Sequence, residues 1–344
     1  MIAKYLLVAT LLFTGGIKGD NVIGKGKLIL TYVVLGKEIW ILNEDGKINI
    51  YDLDSLKGLR TYQLKKSRIL WIEKETDSTL LIIDKDNNLI RLFIDENRLV
   101  SLFKYHDGII YRIISNSLGK LFLITDKGVF DPDQKKHLKP IFSINSTFAE
   151  EDGWQNPSAI YLDKLDNIWI GFDKGEWGGE IFIFNSQKKG YKVPMLKSFI
   201  ELNYPVRSFF EINDSIYITY GLSHLGAMGK IVKVTNYRAQ IIYESEFDEG
   251  EYIGPGTFNN FDQSIYYYSN LGIFKGKIND NLTMRKNWAL VFRPELRWQF
   301  GQSNALGYRM NVTDLKFIKK DVILILVPTV GLGVYRGDKL YFLN

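Results

Sequence analysis

The sequence predicts an all-β chain folded as a seven-bladed β-propeller of four-stranded antiparallel blades. Three observations carry this. A short apolar run recurs seven times in the 344 residues, as IWILN at 39, LLIID at 80, LFLIT at 121, IWIGF at 168, IYITY at 216, IYYYS at 265 and ILILV at 323. Each run is bracketed by turn residues, with a polar turn before it and one rich in Gly, Asp or Asn after it. No long segment carries a capped apolar period of 3.6 residues, so helices should be few.

The recurring run reads as the second strand of each unit. An inner strand precedes it: KLILTYV (27–33), RILWIE (68–73), IIYRIIS (109–115), SAIYLD (158–163), VRSFFEI (206–212), GTFNNF (256–261) and VTDLKFI (312–318). A third strand follows it: KINIYDL, NLIRLFI, GVF, EIFIFN, KIVKVT, GIFKGKI and GLGVYR. Outer strands close the units, as in LRTYQL (59–64), RLVSLF (98–103) and AQIIYES (239–245). Aromatic residues make up 14% of the chain, and flat or branched side chains pack well on a pleated surface. Short strands joined by turns form antiparallel meanders. A four-stranded unit repeated in this way is the signature of a propeller. Each sheet has two apolar faces, and stacking around an axis buries both. The units fill residues 20–344 as one domain, and the ring closes without a strand exchanged between its ends. The irregular last two units leave six or eight blades open.

Residues 1–19 read as a signal peptide. A basic start (Met1 to Lys4) is followed by the uncharged run YLLVATLLF and by small residues Thr14, Gly15 and Gly16. That run is too short to span a membrane, and no later segment is long and apolar enough to do so. The expected location is secreted or periplasmic. With no cysteine in the chain there is no lipidated cysteine, disulfide or thiolate site. The net charge of +5 is spread over scattered lysines, whereas a nucleic-acid binder concentrates its charge on one face.

DNIWIGFDKGEWGGEIFIFN (166–185) resembles the G-x-L-W-I-G-T-x-x-G-L repeat of two-component-regulator sensor propellers. TYVVLGKEIWILNEDGKINIYDLDSLKG (31–58) resembles a repeat of the quinoprotein and YVTN-type propellers. The resemblance implies the fold and a sensing or binding role. It does not specify a ligand, because propellers host many unrelated functions.

Catalytic and metal motifs are missing. The three histidines, His106, His137 and His224, lie far apart in the sequence. GLSHLG (221–226) lacks the strand-to-helix context of a nucleophile elbow. No cofactor is implied. With strands A to D counted from the axis outward, the B–C and D–A connections share one face. The longest segments all fall there: 145–157, 172–180, 220–229, 244–256 and 291–309. Length beyond what a hairpin needs points to function. These segments carry the candidate binding residues Trp154, Trp177, His224, Tyr252, Arg297 and Trp298. The acids Glu150, Glu151, Asp152, Glu176, Asp248, Glu249 and Glu251 lie beside them. The same aromatics would also serve as plugs between blades.

The reading that follows is a non-catalytic extracytoplasmic binding, sensing or interaction propeller with a protein or glycan ligand. A first alternative is a carbohydrate-active enzyme, a glycoside hydrolase or lyase. A glycosidase would need two of these carboxyls roughly 5–10 Å apart. A second alternative is a structural subunit of an envelope complex.

Overall fold

A computed structural model describes residues 27–143, 154–187, 204–223, 226–236, 238–245, 250–294 and 312–344. The proposed signal peptide lies outside them. Seven four-stranded antiparallel sheets form a ring, which settles the blade number at seven. Blade 1 spans 29–62, blade 2 69–104, blade 3 110–137, blade 5 206–244, blade 6 253–292 and blade 7 314–343. The two helices among the described residues are single 3-10 turns, Gly175–Trp177 and Arg285–Asn287.

The recurring run is continuous rather than alternating because both faces of each blade are buried. In blade 1, Ile39 and Ile41 pack into the seam with blade 7. Trp40 and Leu42, one residue out of phase, pack into the seam with blade 2. A strand's period of two therefore feeds both neighbours at once. Seven clusters of described apolar residues lie one at each seam. Each buried aliphatic contributes about 1.5–3 kcal/mol, so the seams rather than the turns hold the ring.

The D-N-I-W-I-G segment shows how turn and wall are coupled. Asp163, only 6% exposed, accepts the backbone N–H of Leu165 at 2.9 Å and of Asn167 at 2.8 Å, closing the A–B turn. Its other oxygen accepts the Trp169 indole N–H at 2.9 Å. Trp169 then packs into the seam with blade 5.

The ring closes between blades 7 and 1 by packing, with no strand exchanged. Ile29 N–H donates to Pro328 O at 2.8 Å, and Tyr32 O–H donates to Asp314 Oδ2 at 2.6 Å. Blade 4 departs from the expected order. Its outer strand, Phe142–Ser143, precedes its inner strand, Ala159–Leu162, in the chain and pairs with Ile181–Asn185. The segment leaving blade 3 thus supplies the edge of the next sheet.

Candidate functional site

The B–C turn of blade 4, DKGEWGG, is built to be rigid. Asp173 Oδ1 accepts the Gly175 N–H at 2.8 Å, and the Lys174 N–H donates to Gly178 O at 2.9 Å. Gly175 and Gly178 take positive φ, 60° and 94°, which glycine adopts without strain. Lys174 pairs with the buried Glu180 at 2.8 Å. Asp173 Oδ2 pairs with Arg207 Nη1 at 2.5 Å. Arg207 in turn donates from Nε and Nη2 to Gly221 O, at 2.9 and 2.8 Å. On this braced turn Trp177 is 77% exposed. An aromatic side chain presented on a fixed backbone offers contact area at small entropic cost.

The other candidates divide. Trp154 is half-buried and its ring lies 5.2, 5.0 and 5.8 Å from those of Phe172, Phe182 and Phe184. It fills the seam between blades 3 and 4. Tyr252 is 2% exposed, with the Arg207 guanidinium 5.3 Å from its ring centroid. Burial pushes its phenol up to about 12. His224, Arg297 and Trp298 lie outside the described residues, as do Glu150, Glu151, Asp152, Asp248 and Glu249. Of the remaining acids, Glu176 is exposed beside Trp177, whereas Glu251 is fully enclosed and receives the hydroxyls of Tyr243 and Tyr267. A polymer cannot reach Glu251 there, so these two form no open carboxylate pair. No group of three or more His, Asp or Glu among the described residues is arranged to hold a metal. His106 is exposed. The His137 ring lies 3.3 Å from the Tyr105 hydroxyl, with burial lowering its pKa.

A second set of groups escaped the sequence reading because they sit inside strands. Glu73 in blade 2, Arg112 in blade 3, and Asp314 and Lys316 in blade 7 all belong to inner strands. The Arg112 guanidinium lies 3.6 Å from the Trp71 ring centroid. Burial pushes Glu73 up to about 7, against the pull of the Trp71 indole, Lys316 and Arg112. Burial likewise brings Arg112 down to about 10, with Glu73 opposing. Blade 1 stands between blades 7 and 2 in the ring. Lys316 and Glu73 thus stand on inner strands two blades apart, and the Lys316 charge opposes the rise at Glu73. A charge inside a run expected to be apolar was the signal available in the sequence.

The Glu73 shift has a consequence for stability. Its folded pKa lies above the unfolded value, so its contribution is complete below the ordinary 4.5 and is lost as pH rises through about 7. Glu73→Gln should flatten the fall in melting temperature across that window. A variant whose melting profile follows the wild type would show that Glu73 ionises normally.

No family model matches the chain, and no curated protein matches it. Among solved structures it is similar to YCF48 bound to a D1 peptide, with TM-score 0.58 and 10% identity over 92% of this chain and 95% of that one. YCF48 from Cyanidioschyzon merolae gives TM-score 0.57 and 10% identity over 91% and 97%. The computationally designed Ika8 protein gives 0.55 and 14% over 91% and 86%. At these identities the likeness is one of fold, and the chain shares the propeller architecture with all three.

Proposed function

We propose that this chain is a non-catalytic binding propeller that works outside the cytoplasm and offers its B–C/D–A face to a segment of a partner protein. The observation that carries the reading is Trp177, exposed at 77% on a turn fixed from both sides. An exposed tryptophan on a preorganised turn is the pattern of an interface anchor. YCF48, a propeller of similar shape, is bound to a D1 peptide, which favours a protein segment over a glycan as the ligand. The extracytoplasmic placement rests on the basic and apolar start of the sequence. No helix among the described residues is long and apolar enough to cross a membrane.

The test is retention of partner by immobilised protein from an extract of the source cell's envelope. Trp177→Ala should lose the retained partner by about tenfold or more, the loss of a single aromatic anchor. Its melting temperature should hardly move, because most of the side chain is exposed. Equal retention by variant and wild type would remove this face from the proposal.

A further inference from the structure

We propose that the cleft between blades 5 and 6, on the face opposite Trp177, binds a neutral saccharide on the Tyr217 hydroxyl, the Lys233 ammonium and the Asp280 carboxylate. A cavity of about 440 Å³ opens there, lined by these three residues among others, and its volume is in the range of small-ligand sites. Cross-strand register builds its floor. Tyr217 stands opposite Lys233, and Lys233 opposite Gln240. Nearer the turns, Ser215 stands opposite Thr235. Residues paired in this way share a face of the sheet, and Tyr217 places that face in the seam with blade 6. The wall is the connection between the third and outer strands of blade 6, residues 278–288. Blade 5 makes the same connection across the short gap between Thr235 and Arg238. The longer segment is folded on itself. Thr283 Oγ1 donates to Asn281 Oδ1 at 2.7 Å, Asn287 Nδ2 to Asn281 O at 2.7 Å and Trp288 Nε1 to Leu282 O at 2.9 Å. Length beyond a hairpin's need, held in one shape, points to function.

The unmet groups in this cavity are of both kinds, donors and acceptors. Tyr217 is 2% exposed and its ring is stacked on Phe210, yet its hydroxyl makes no hydrogen bond with any described residue. A buried hydroxyl without a partner is unfavourable. The Lys233 ammonium lies 6.0 Å from the Tyr217 ring centroid and makes no ion pair with any described residue. Ser215 Oγ and Thr235 Oγ1 lie 2.6 Å apart, so one donates to the other and one O–H is left over. Among the carboxylates, Asp214 is paired with Lys164, whereas Asp280 makes no ion pair with any described residue. An anion would meet Asp214 and Asp280 here, and a cation would meet Lys233. A hydroxyl donates and accepts at once without carrying charge, so a saccharide answers both sets. The site lies on the side of the A–B and C–D connections, away from the Trp177 turn, and neither proposal depends on the other.

The experiment is isothermal titration calorimetry of the protein with glucose, galactose and mannose. The uronate and the amino sugar of each hexose are the charged controls. Saturable binding of at least one hexose is expected, tighter than that of its two charged congeners. Tyr217→Phe should weaken it about fivefold, the loss of one neutral hydrogen bond. Its melting temperature should not fall, because the hydroxyl has no partner among the described residues. Lys233→Met, which keeps the aliphatic stem, should weaken binding about tenfold, the loss of a charged hydrogen bond. Trp177→Ala should bind the hexose as the wild type does, which separates this site from a tryptophan platform on the other face. Absence of saturable binding for all three hexoses overturns the proposal. So does tighter binding of a charged congener, or an affinity undiminished in Tyr217→Phe or in Lys233→Met.

Discussion

Gly221→Ala should destabilise the ring by about 3 kcal/mol or more, the upper range for forcing an atom into a packed interior. Gly221 and Gly229 face each other in register across the second and third strands of blade 5. Together they form a notch into which the first residue of blade 6's inner strand fits. A Cβ at Gly221 would stand 1.9 Å from Ile253 O and 2.7 Å from Tyr252 Cε2. At Gly229 it would stand 2.4 Å from Ile253 Cβ. The nearest obstacles are the backbone of the next blade and the base of its side chain, so no rotamer change relieves the clash. The Gly221 carbonyl also accepts both Arg207 donors, so displacing it loosens the brace under the Trp177 turn. Gly58→Ala is the control, since its Cβ would meet only Tyr51 Cε1 at 3.8 Å. Urea melts should separate the two clearly. A Gly221→Ala variant as stable as Gly58→Ala would mean that the blades do not pack this closely.

The second large effect belongs to Glu251. It is wholly enclosed at the seam between blades 5 and 6. Its carboxylate accepts the Tyr243 O–H at 2.6 Å and the Tyr267 O–H at 3.0 Å, with Arg285 Nε at 3.4 Å. Trp288 packs on both tyrosines, with ring centroids 5.5 and 5.0 Å away. Removing the carboxylate leaves the two buried tyrosine hydroxyls without their acceptor and takes the anionic partner from Arg285, whose side chain is one-third exposed. Breaking one partner of such a buried set costs about 3–5 kcal/mol. Glu251→Ala should therefore lower the urea midpoint strongly. Glu251→Gln, which keeps one acceptor oxygen, should recover part of the loss. If the two variants melt together, the negative charge rather than the hydrogen-bond geometry is what the seam requires.

Most of the fold was legible because a strand's side-chain period is short and local. Ile39 to Asn43 and its six relatives reveal themselves through runs of five residues bounded by turns. The outer strand of blade 4 did not, since Phe142–Ser143 is two residues long and its partner is chosen by tertiary packing. Within the candidate site, Trp177 was legible because DKGEWGG is longer than the turn requires. NEDGK makes the equivalent turn in blade 1. Tyr252 sits in the acidic stretch FDEGEY and reads as surface. Its burial follows from its place beside the glycine notch, a relation between blades that composition does not encode. Glu73 and Arg112 were passed over for a related reason. Periodicity says which way a side chain points from its sheet, and not whether a seam or the open axis lies in that direction.

The early outer strand of blade 4 also determines how the chain can be divided. A cut within 144–153 would separate Phe142–Ser143 from the three strands it completes, Ala159–Leu162, Asn167–Gly171 and Ile181–Asn185. Each fragment would then hold part of one sheet, and reassembly would require a β-strand donated in trans. A cut within 188–203 leaves four complete sheets on one fragment and three on the other. The two nicked proteins should thus differ in complementation: the first pair locked by strand pairing within one sheet, the second joined through side-chain packing and isolated backbone hydrogen bonds at the seams, Ile29 N–H to Pro328 O and Val206 N–H to Phe172 O.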